Sequence, residues 1–241
     1  MSLEFHQFCY RSDNYGVLIH DPASGETACV DVGSEGATAE LAALAQTGWK
    51  LTQIWITHHH GDHTAGLEAL KATTGAQVYG PDNAKITGID TTLGHGDHFS
   101  FAGQQVQVIH TPGHTLDMLN YHLPQAKVVF TGDTLFALGC GRVFEGDMAM
   151  MHNSLEKLKG LPDETVIYCS HEYTQANAKF CLSFVSDNEA LANRAELIDQ
   201  LRAAGEATVP TTIGLERATN PFFYADSVEA FTEVRSAKDK F

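Results

Sequence analysis

Short hydrophobic runs separated by polar turns predict a chain in which strands and helices alternate. β-Branched and apolar runs at residues 17–19, 28–32 and 53–57 predict strands, the last of them buried. Apolar residues at helical spacing predict helices at residues 37–47 and 64–73, and a glycine follows each of them as a stop. This order of elements predicts an α/β fold.

The pattern changes character near residue 172. Upstream, apolar periodicity predicts a further helix at residues 148–159, and shorter runs predict further strands. These strands are predicted at residues 77–79, 99–101, 105–110, 118–123, 127–130 and 165–169. Downstream, strand signals end and helices are predicted at residues 176–184, 189–204 and 227–238. We therefore predict one domain over residues 1–171 and a small helical domain over residues 172–241.

Composition and charge narrow the class of protein. The 241 residues are 43% hydrophobic and 19% charged, which is typical of a folded globular protein. A formal net charge of −15 disfavours a nucleic-acid partner. Five cysteines without a C-x-x-C pair predict reduced thiols. Because the sequence contains neither a leader-like N-terminus nor a long apolar stretch, we expect a soluble, cytoplasmic protein without a membrane partner. We also expect a monomer, although no pattern in the sequence carries the oligomeric state.

A cluster of metal-ligand side chains follows the buried strand predicted at residues 53–57. Residues 57–63 read T-H-H-H-G-D-H, so His58, His60 and Asp62 can converge from a tight loop, with His63 at the start of the next helix. Imidazole and carboxylate groups suit borderline divalent metals, and the lack of a neighbouring thiolate disfavours a cysteine-rich structural zinc site. We therefore predict an open catalytic metal site, with His59 as a structural or exposed residue.

Three later strand ends carry the same kinds of side chain. In each, an apolar strand leads into a turn of small residues, followed by His114, Asp133 or His171. Together with the histidine loop, these residues would complete a dinuclear site. The alternative, a solvated histidine-rich loop, is disfavoured by this repeated placement.

The pattern H-x-H-x-D-H, followed in order by His114, Asp133 and His171, resembles the metallo-β-lactamase superfamily. Within it, the segments G-C-G-R-V-F-E-G at residues 139–146, H-E-Y at residues 171–173 and R-S-A-K-D-K-F at residues 235–241 resemble glyoxalase II, the hydroxyacylglutathione hydrolases. The resemblance extends from residue 13 to the last residue. It implies an αββα sandwich followed by a small C-terminal α-helical domain that binds substrate.

The same resemblance implies a two-metal site. One metal would be held by His58, His60 and His114, and the other by Asp62, His63 and His171. Asp133 would bridge both, and Asp62 and Asp133 would be the catalytic carboxylates beside a hydroxide. The ions would be zinc, with iron or manganese as alternatives, because such ligands accept all three.

The implied reaction is hydrolysis of S-D-lactoylglutathione, or another S-2-hydroxyacylglutathione, to a 2-hydroxy acid and glutathione. This is the second step of methylglyoxal detoxification. Two cations about 3.5–4 Å apart would activate water and polarise the thioester carbonyl. A thiolate can leave without prior protonation, because thiol pKa values lie near about 8.5.

Glutathione carries carboxylates, which an acidic protein must attract with local cations. Arg235 and Lys238 are three residues apart on a predicted helix and share a face. Their spacing fits stabilisation of a helix C-terminus equally well, and the resemblance favours the glycine carboxylate of glutathione. It also assigns Arg142, Phe144 and Tyr173 to the substrate. Some relatives carry Tyr in place of Phe144 and would gain a hydrogen bond, and a core tyrosine is the alternative for Tyr173.

Several rival functions share this ligand set. A persulfide dioxygenase would use one iron, but the Gly-Cys-Gly-Arg segment and the helical tail favour the hydrolase. A lactonase stays open. A β-lactamase is disfavoured because Asp133 stands where several such enzymes use Cys. A non-catalytic binding module is disfavoured because all seven ligands are present.

Overall fold

A computed structural model describes residues 2–241 and divides the chain into two compact units. The first unit runs to His110 and also includes Asp117–Phe130. The second comprises Thr111–Leu116 and Thr131–Phe241. Within residues 2–241, the helices are too short or too polar to cross a bilayer.

The first unit contains a six-stranded sheet whose order follows the chain, β1-β2-β3-β4-β5-β6. Its strands are β1 (Glu4–Tyr10), β2 (Asn14–His20), β3 (Thr27–Val30), β4 (Gln53–Trp55), β5 (Gln77–Pro81) and β6 (Thr91–Leu93). The first three strands pair antiparallel, and β3 to β6 pair parallel. The carboxyl ends of the parallel strands therefore meet at one edge, where loops can carry functional groups.

Helices cover one face of this sheet. A 3-10 turn (Glu35–Ala37) leads into α1 (Thr38–Thr47), and α2 (Gly61–Thr64) and α3 (Leu67–Thr74) follow β4. Leu44 of α1 and Leu70 of α3 share one buried apolar cluster with Ile54 of β4. Because successive side chains of a strand point to opposite faces, Ile54 faces the helices and Trp55 faces away from them.

A second sheet packs on the Trp55 side. In the first unit it comprises β7 (His98–Phe101), β8 (Gln104–His110), β9 (Leu119–Leu123) and the first residues of β10 (Val128–Gly132), in the order β10-β9-β8-β7. The indole of Trp55 lies 5.3 Å from the rings of both Phe99 and Phe101 and 5.7 Å from that of Tyr121. These aromatic contacts form the core between the two sheets of this unit.

The second unit holds the end of β10 beside β13 (Val166–Cys169) and β14 (Thr211–Thr212), in the order β14-β13-β10. A short hairpin of β11 (Leu135–Phe136) and β12 (Gly139–Cys140) follows β10 directly. The helices are α4 (Met148–Lys159), α5 (Thr174–Phe184), α6 (Glu189–Ala203), α7 (Ile213–Thr219), α8 (Pro221–Tyr224) and α9 (Val228–Lys240). The α/β class and the helical C-terminal segment are confirmed.

The structure corrects some local predictions. Strands do not end at Glu172 as predicted, because Thr211–Thr212 forms a strand that pairs with β13. The two helices that follow this strand, α7 and α8, were not predicted. The helix predicted at residues 64–73 is two helices, with Gly66 between them. A Cβ at Gly66 would lie 2.4 Å from the carbonyl oxygen of Ser34, so this close approach requires glycine. The boundary between residues 171 and 172 stays a prediction.

Candidate metal centre

The histidine loop lies directly after β4, as predicted. His58 and His63 are buried, while His60 and Asp62 are half-buried. His58 Nε2 lies 3.0 Å from His60 Nδ1, and His63 Nε2 lies 3.4 Å from Asp62 Oδ2. The loop therefore offers two pairs of potential ligand atoms, one from His58 and His60 and one from Asp62 and His63. Within each pair the atoms lie less than 4.8 Å apart, a distance that one metal ion can span.

Asp31, which the sequence analysis did not single out, orients this loop. Its Oδ1 accepts the backbone N–H of Thr57 at 2.8 Å. Its Oδ2 accepts the Thr57 hydroxyl at 2.9 Å and His63 Nδ1 at 2.8 Å. Asp31 is buried and adopts a φ of 59°, the left-handed region that L-residues rarely adopt. The only signal in the sequence is a carboxylate inside an apolar run.

These bonds indicate that Nδ1 carries a proton in both His58 and His63. A carboxylate only accepts, so His63 donates from Nδ1 to Asp31. The Thr57 hydroxyl gives its single proton to Asp31 and therefore accepts from His58 Nδ1 at 3.0 Å. In the neutral rings of His58 and His63, Nε2 then presents a lone pair, the form in which imidazole binds a metal.

Residues of β1, β2 and the turn between them contact the loop and the segment beside it. Tyr10 donates its hydroxyl to the Asp62 carbonyl at 3.0 Å, and Asn14 Nδ2 donates to Asp62 Oδ2 at 3.0 Å. Arg11 Nε donates to the Gly33 carbonyl at 3.0 Å. A Cβ at Gly33 would lie 1.7 Å from the Asp62 carbonyl oxygen, so this crossing of backbones needs glycine.

In the second unit, Asp133 lies between two imidazoles. Its Oδ2 is 3.3 Å from His114 Nε2, and its Oδ1 is 3.3 Å from His171 Nε2. All three side chains are buried, and they follow the turns predicted from the sequence. The structure thus brings together the three ligand candidates that lie downstream of the histidine loop.

The donor set of this cluster fits a bound cation. His114 Nδ1 donates to the Arg142 carbonyl at 2.8 Å, because a carbonyl can only accept. In the neutral ring, the Nε2 lone pair then faces an oxygen of Asp133 at 3.3 Å. Two buried acceptors in this arrangement need a positive charge between them, which a divalent ion supplies.

Three predicted substrate residues lie near these ligands in the second unit. Tyr173 stacks on His171 with ring centroids 4.7 Å apart, and it is 38% exposed. Phe144 is 59% exposed, and its ring lies 5.2 Å from that of His114. The guanidinium of Arg142 lies 5.9 Å from the Phe144 ring. Phe144 and Tyr173 therefore present aromatic surface to solvent beside the ligands.

The two cations of α9 have different surroundings. Arg235 is only 5% exposed, donates from Nη1 to the Cys140 carbonyl at 2.9 Å and pairs with Asp239 at 2.9 Å. Lys238 Nζ donates to the Ala176 carbonyl at 3.2 Å. Partial burial and the neighbouring Arg235 charge lower the pKa of Lys238. The assignment of both residues to substrate stays a prediction.

His59, predicted not to be a ligand, has partners for both ring nitrogens. Lys85 Nζ lies 3.1 Å from its Nε2, and Asp117 Oδ1 lies 2.9 Å from its Nδ1. Because the lysine donates, the ring accepts at Nε2 and donates from Nδ1 to Asp117. Asn83 Nδ2 holds the other oxygen of Asp117 at 2.7 Å. That His59 is structural and not a metal ligand stays a prediction, because His59, Asp117 and Glu145 also offer ligand atoms within 4.8 Å of one another.

Family models match nearly the whole chain. The model described as the metallo-beta-lactamase superfamily matches residues 14–171. The model described as the hydroxyacylglutathione hydrolase C-terminus matches residues 172–241. Both matched segments of the sequence therefore have a counterpart in known families.

Individual relatives agree with these matches. The chain is 52% identical to a hydroxyacylglutathione hydrolase of Brucella ovis, over 99% of this chain and 98% of that protein. A crystal structure of ETHE1 from Myxococcus xanthus is similar with a TM-score of 0.75 and 30% identity, over 97% of this chain and 90% of that one. The BLEG-1 B3 metallo-beta-lactamase, at 21% identity, has a TM-score of 0.69 over 91% of this chain and 99% of that one, a likeness of fold alone.

Proposed function

The chain belongs to the metallo-β-lactamase superfamily and, within it, to the hydroxyacylglutathione hydrolases, and from this premise we propose how it cleaves its substrate. It is a metal-dependent hydrolase of glutathione thioesters. The reaction converts S-D-lactoylglutathione and water into D-lactate and glutathione. The observation that carries this function is identity of 52% over nearly the full length, in a chain that keeps a complete set of metal ligands.

The two ligand groups form one dinuclear centre in this proposal. One ion would be held by His58, His60 and His114, the other by Asp62, His63 and His171, and Asp133 would contribute a carboxylate to both. Support comes from the pairing of ligand atoms within the histidine loop and from the placement of Asp133 between two imidazoles. Zinc is the first choice of metal, with iron or manganese as alternatives, since His and Asp ligands accept all three.

When bound, two such ions supply a hydroxide from water at neutral pH and polarise the thioester carbonyl. The chain's own residues prepare the site for them. Asp31 and the Arg142 carbonyl hold Nδ1 of His63 and His114, so that Nε2 of each ring is available as a ligand. The leaving thiolate needs no general acid, because its pKa lies near about 8.5.

Substrate binding in this proposal uses the second unit. Tyr173 and Phe144 offer aromatic surface beside the ligands, and Arg142 offers a cationic side chain that is 60% exposed. Arg235 and Lys238 meet the glycine carboxylate of glutathione, an attraction that a chain of net charge −15 must provide locally. Phe144 lacks the hydroxyl that a tyrosine would offer, so glutathione loses one hydrogen bond at this position. The protein works as a monomer.

The decisive experiment measures hydrolysis of S-D-lactoylglutathione by purified protein, together with its metal content. We expect thioester cleavage with two metal ions per chain, loss of activity on chelation and recovery on adding metal. Metal-replete protein that opens lactones or β-lactams, or oxidises glutathione persulfide, and leaves the thioester intact would refute the proposal.

A further inference from the structure

The hairpin formed by β11 and β12 connects two parts of the proposed metal centre. Asp133 lies just before it, and Arg142, whose carbonyl accepts from His114, lies just after it. Gly141 N donates to the Thr134 carbonyl at 3.1 Å and closes the base of the hairpin. A Cβ at Gly141 would lie 2.0 Å from the Asp133 carbonyl oxygen, so the two ends are in close contact. A shift of the hairpin would therefore move both Asp133 and the anchor of His114.

The tip of this hairpin is buried and strained. Leu138 has a φ of 58°, a conformation that a leucine adopts only when its surroundings impose it. Its backbone N–H donates to Glu216 Oε2 at 2.8 Å. The neighbouring carbonyls of Ala137 and Gly139 accept from the side-chain amides of Asn177 at 3.1 Å and Asn220 at 3.2 Å. Three side chains of residues 172–241 thus hydrogen bond to the backbone of the hairpin tip, at one N–H and two carbonyls.

Glu216 receives donors on both of its oxygens. Oε1 accepts from Arg194 Nη2 at 2.5 Å and from the Thr211 hydroxyl at 2.6 Å. Oε2 accepts from Leu138 N at 2.8 Å and from Asn220 Nδ2 at 3.0 Å. The side chain is completely buried, and Arg194 is the cation that accompanies it. Only a carboxylate can accept from four donors in this way, because an amide has a single oxygen.

We propose that Glu216 is a positioning residue for the metal centre, acting through the Leu138 N–H and the hairpin on Asp133 and on the Arg142 carbonyl. The inference rests on the proposed function, because it assumes that Asp133 and His114 are metal ligands. Glu216 itself contacts neither of them. It lies 78 residues from Leu138 along the chain. It belongs to residues 172–241, which contain none of the proposed metal ligands.

A purely structural role makes a different prediction from a positioning role. If Glu216 only stabilises the helices, its loss lowers the melting temperature and leaves the metal affinity of the folded protein unchanged. If it positions the hairpin, the affinity falls even far below the melting temperature. Residues that orient metal ligands change affinity by about 10–100-fold when they are replaced.

The test compares Glu216→Gln with Thr219→Val. Thr219 lies in the same buried network but binds Arg194 Nη1 and the Leu215 carbonyl, so its loss weakens the network without touching the hairpin. Metal-free protein is titrated with Zn²⁺ against a competing chromophoric chelator at 20–25 °C, with circular dichroism as the check on folding. We expect E216Q to bind Zn²⁺ about 10–100-fold more weakly and T219V to match the wild type.

A second variant covers the case in which E216Q does not fold. Asn220→Ser removes the amide that donates to the Gly139 carbonyl and to Glu216 Oε2, and it keeps an oxygen to cap α8 at Phe222 N. It should weaken Zn²⁺ binding in the same direction. Folded E216Q with wild-type affinity, or folded N220S with wild-type affinity where E216Q does not fold, would overturn the positioning role alone, as would an equal loss in T219V. Wild-type protein that binds no Zn²⁺, iron or manganese would overturn the proposed function as well.

Discussion

Replacing Asp31 with Asn tests whether the histidine loop is oriented by one buried carboxylate. The wild-type side chain accepts three hydrogen bonds, from the Thr57 N–H, the Thr57 hydroxyl and His63 Nδ1. An asparagine of the same shape has one oxygen and one NH₂ group, so it cannot satisfy all three donors. The size of the effect depends on which way the amide turns.

In one orientation, the amide oxygen stays with Thr57 OH and His63, and the NH₂ group faces the Thr57 backbone N–H. This donor–donor contact leaves buried groups unsatisfied at a cost of about 1–3 kcal/mol. In the other orientation, the NH₂ group faces His63 Nδ1 and favours the tautomer protonated at Nε2, the atom proposed to bind metal. Both orientations weaken metal binding, and we expect a loss of about 10–100-fold, or about 1.4–2.8 kcal/mol.

The assay is competition for Zn²⁺ with a chromophoric chelator on refolded, metal-free protein, alongside thermal unfolding. Asp90→Asn is the matched control, since Asp90 accepts the Val78 N–H at 2.9 Å and pairs with Lys71 at 2.5 Å, in contacts that do not involve a proposed ligand. D90N should lower stability slightly and leave Zn²⁺ affinity unchanged. Folded D31N with an affinity within about twofold of the wild type would refute the orienting role, because each tenfold in affinity is about 1.4 kcal/mol.

Three further predictions address ligands, substrate and thiols. Asp133→Ala should lose more metal and more turnover than His59→Ala, and equal losses by elemental analysis and kinetics would contradict the ligand assignment. Lys238→Ala should raise KM between severalfold and about a hundredfold with little change in kcat, because the contact is remote from the reacting carbon; Arg235→Ala should do the same and also lower the melting temperature, since its guanidinium is buried. Unchanged KM in both variants would leave the glutathione carboxylate without these partners. At pH 8, Cys9 should be the thiol that a colorimetric disulfide reagent modifies in the native protein, and rapid reaction of a second thiol would contradict the burial. Burial raises the pKa of the interior thiols, to about 11 at Cys140 and about 12 at Cys169 and Cys181, and keeps them protonated.

The sequence was most informative where a strong local pattern met a strand end. The helix at residues 148–159 is confirmed as α4, and β4 ends just before the histidine loop as predicted. β1 was missed because E-F-H-Q-F-C-Y mixes polar and apolar residues, and the strand is mostly half-buried at the edge of its sheet. Its contribution to the loop, the Tyr10 hydroxyl, depends on a contact 52 residues away that no local pattern encodes.

The supports of the ligands could not be predicted for the same reason. Asp31 and Glu216 are isolated carboxylates, and the residues next to them in the sequence do not form a recognisable metal-ligand motif. Their roles follow from partners 26 to 32 and 78 residues away. A ligand motif is visible because its residues are close in sequence, whereas an orienting residue needs only to be close in space.

Each unit holds a strained backbone position beside its proposed ligands. Asp31, with a φ of 59°, precedes the histidine loop, and Leu138, with a φ of 58°, is at the tip of the hairpin after Asp133. Such a conformation costs a residue other than glycine about 1–3 kcal/mol and persists only where neighbouring bonds impose it. At both positions the bonds come from a buried carboxylate: that of Asp31 itself, and that of Glu216 on the Leu138 N–H. In our proposal both carboxylates hold segments that carry ligands: Asp31 holds the histidine loop through Thr57 and His63, and Glu216 holds the hairpin that follows Asp133 through the Leu138 N–H.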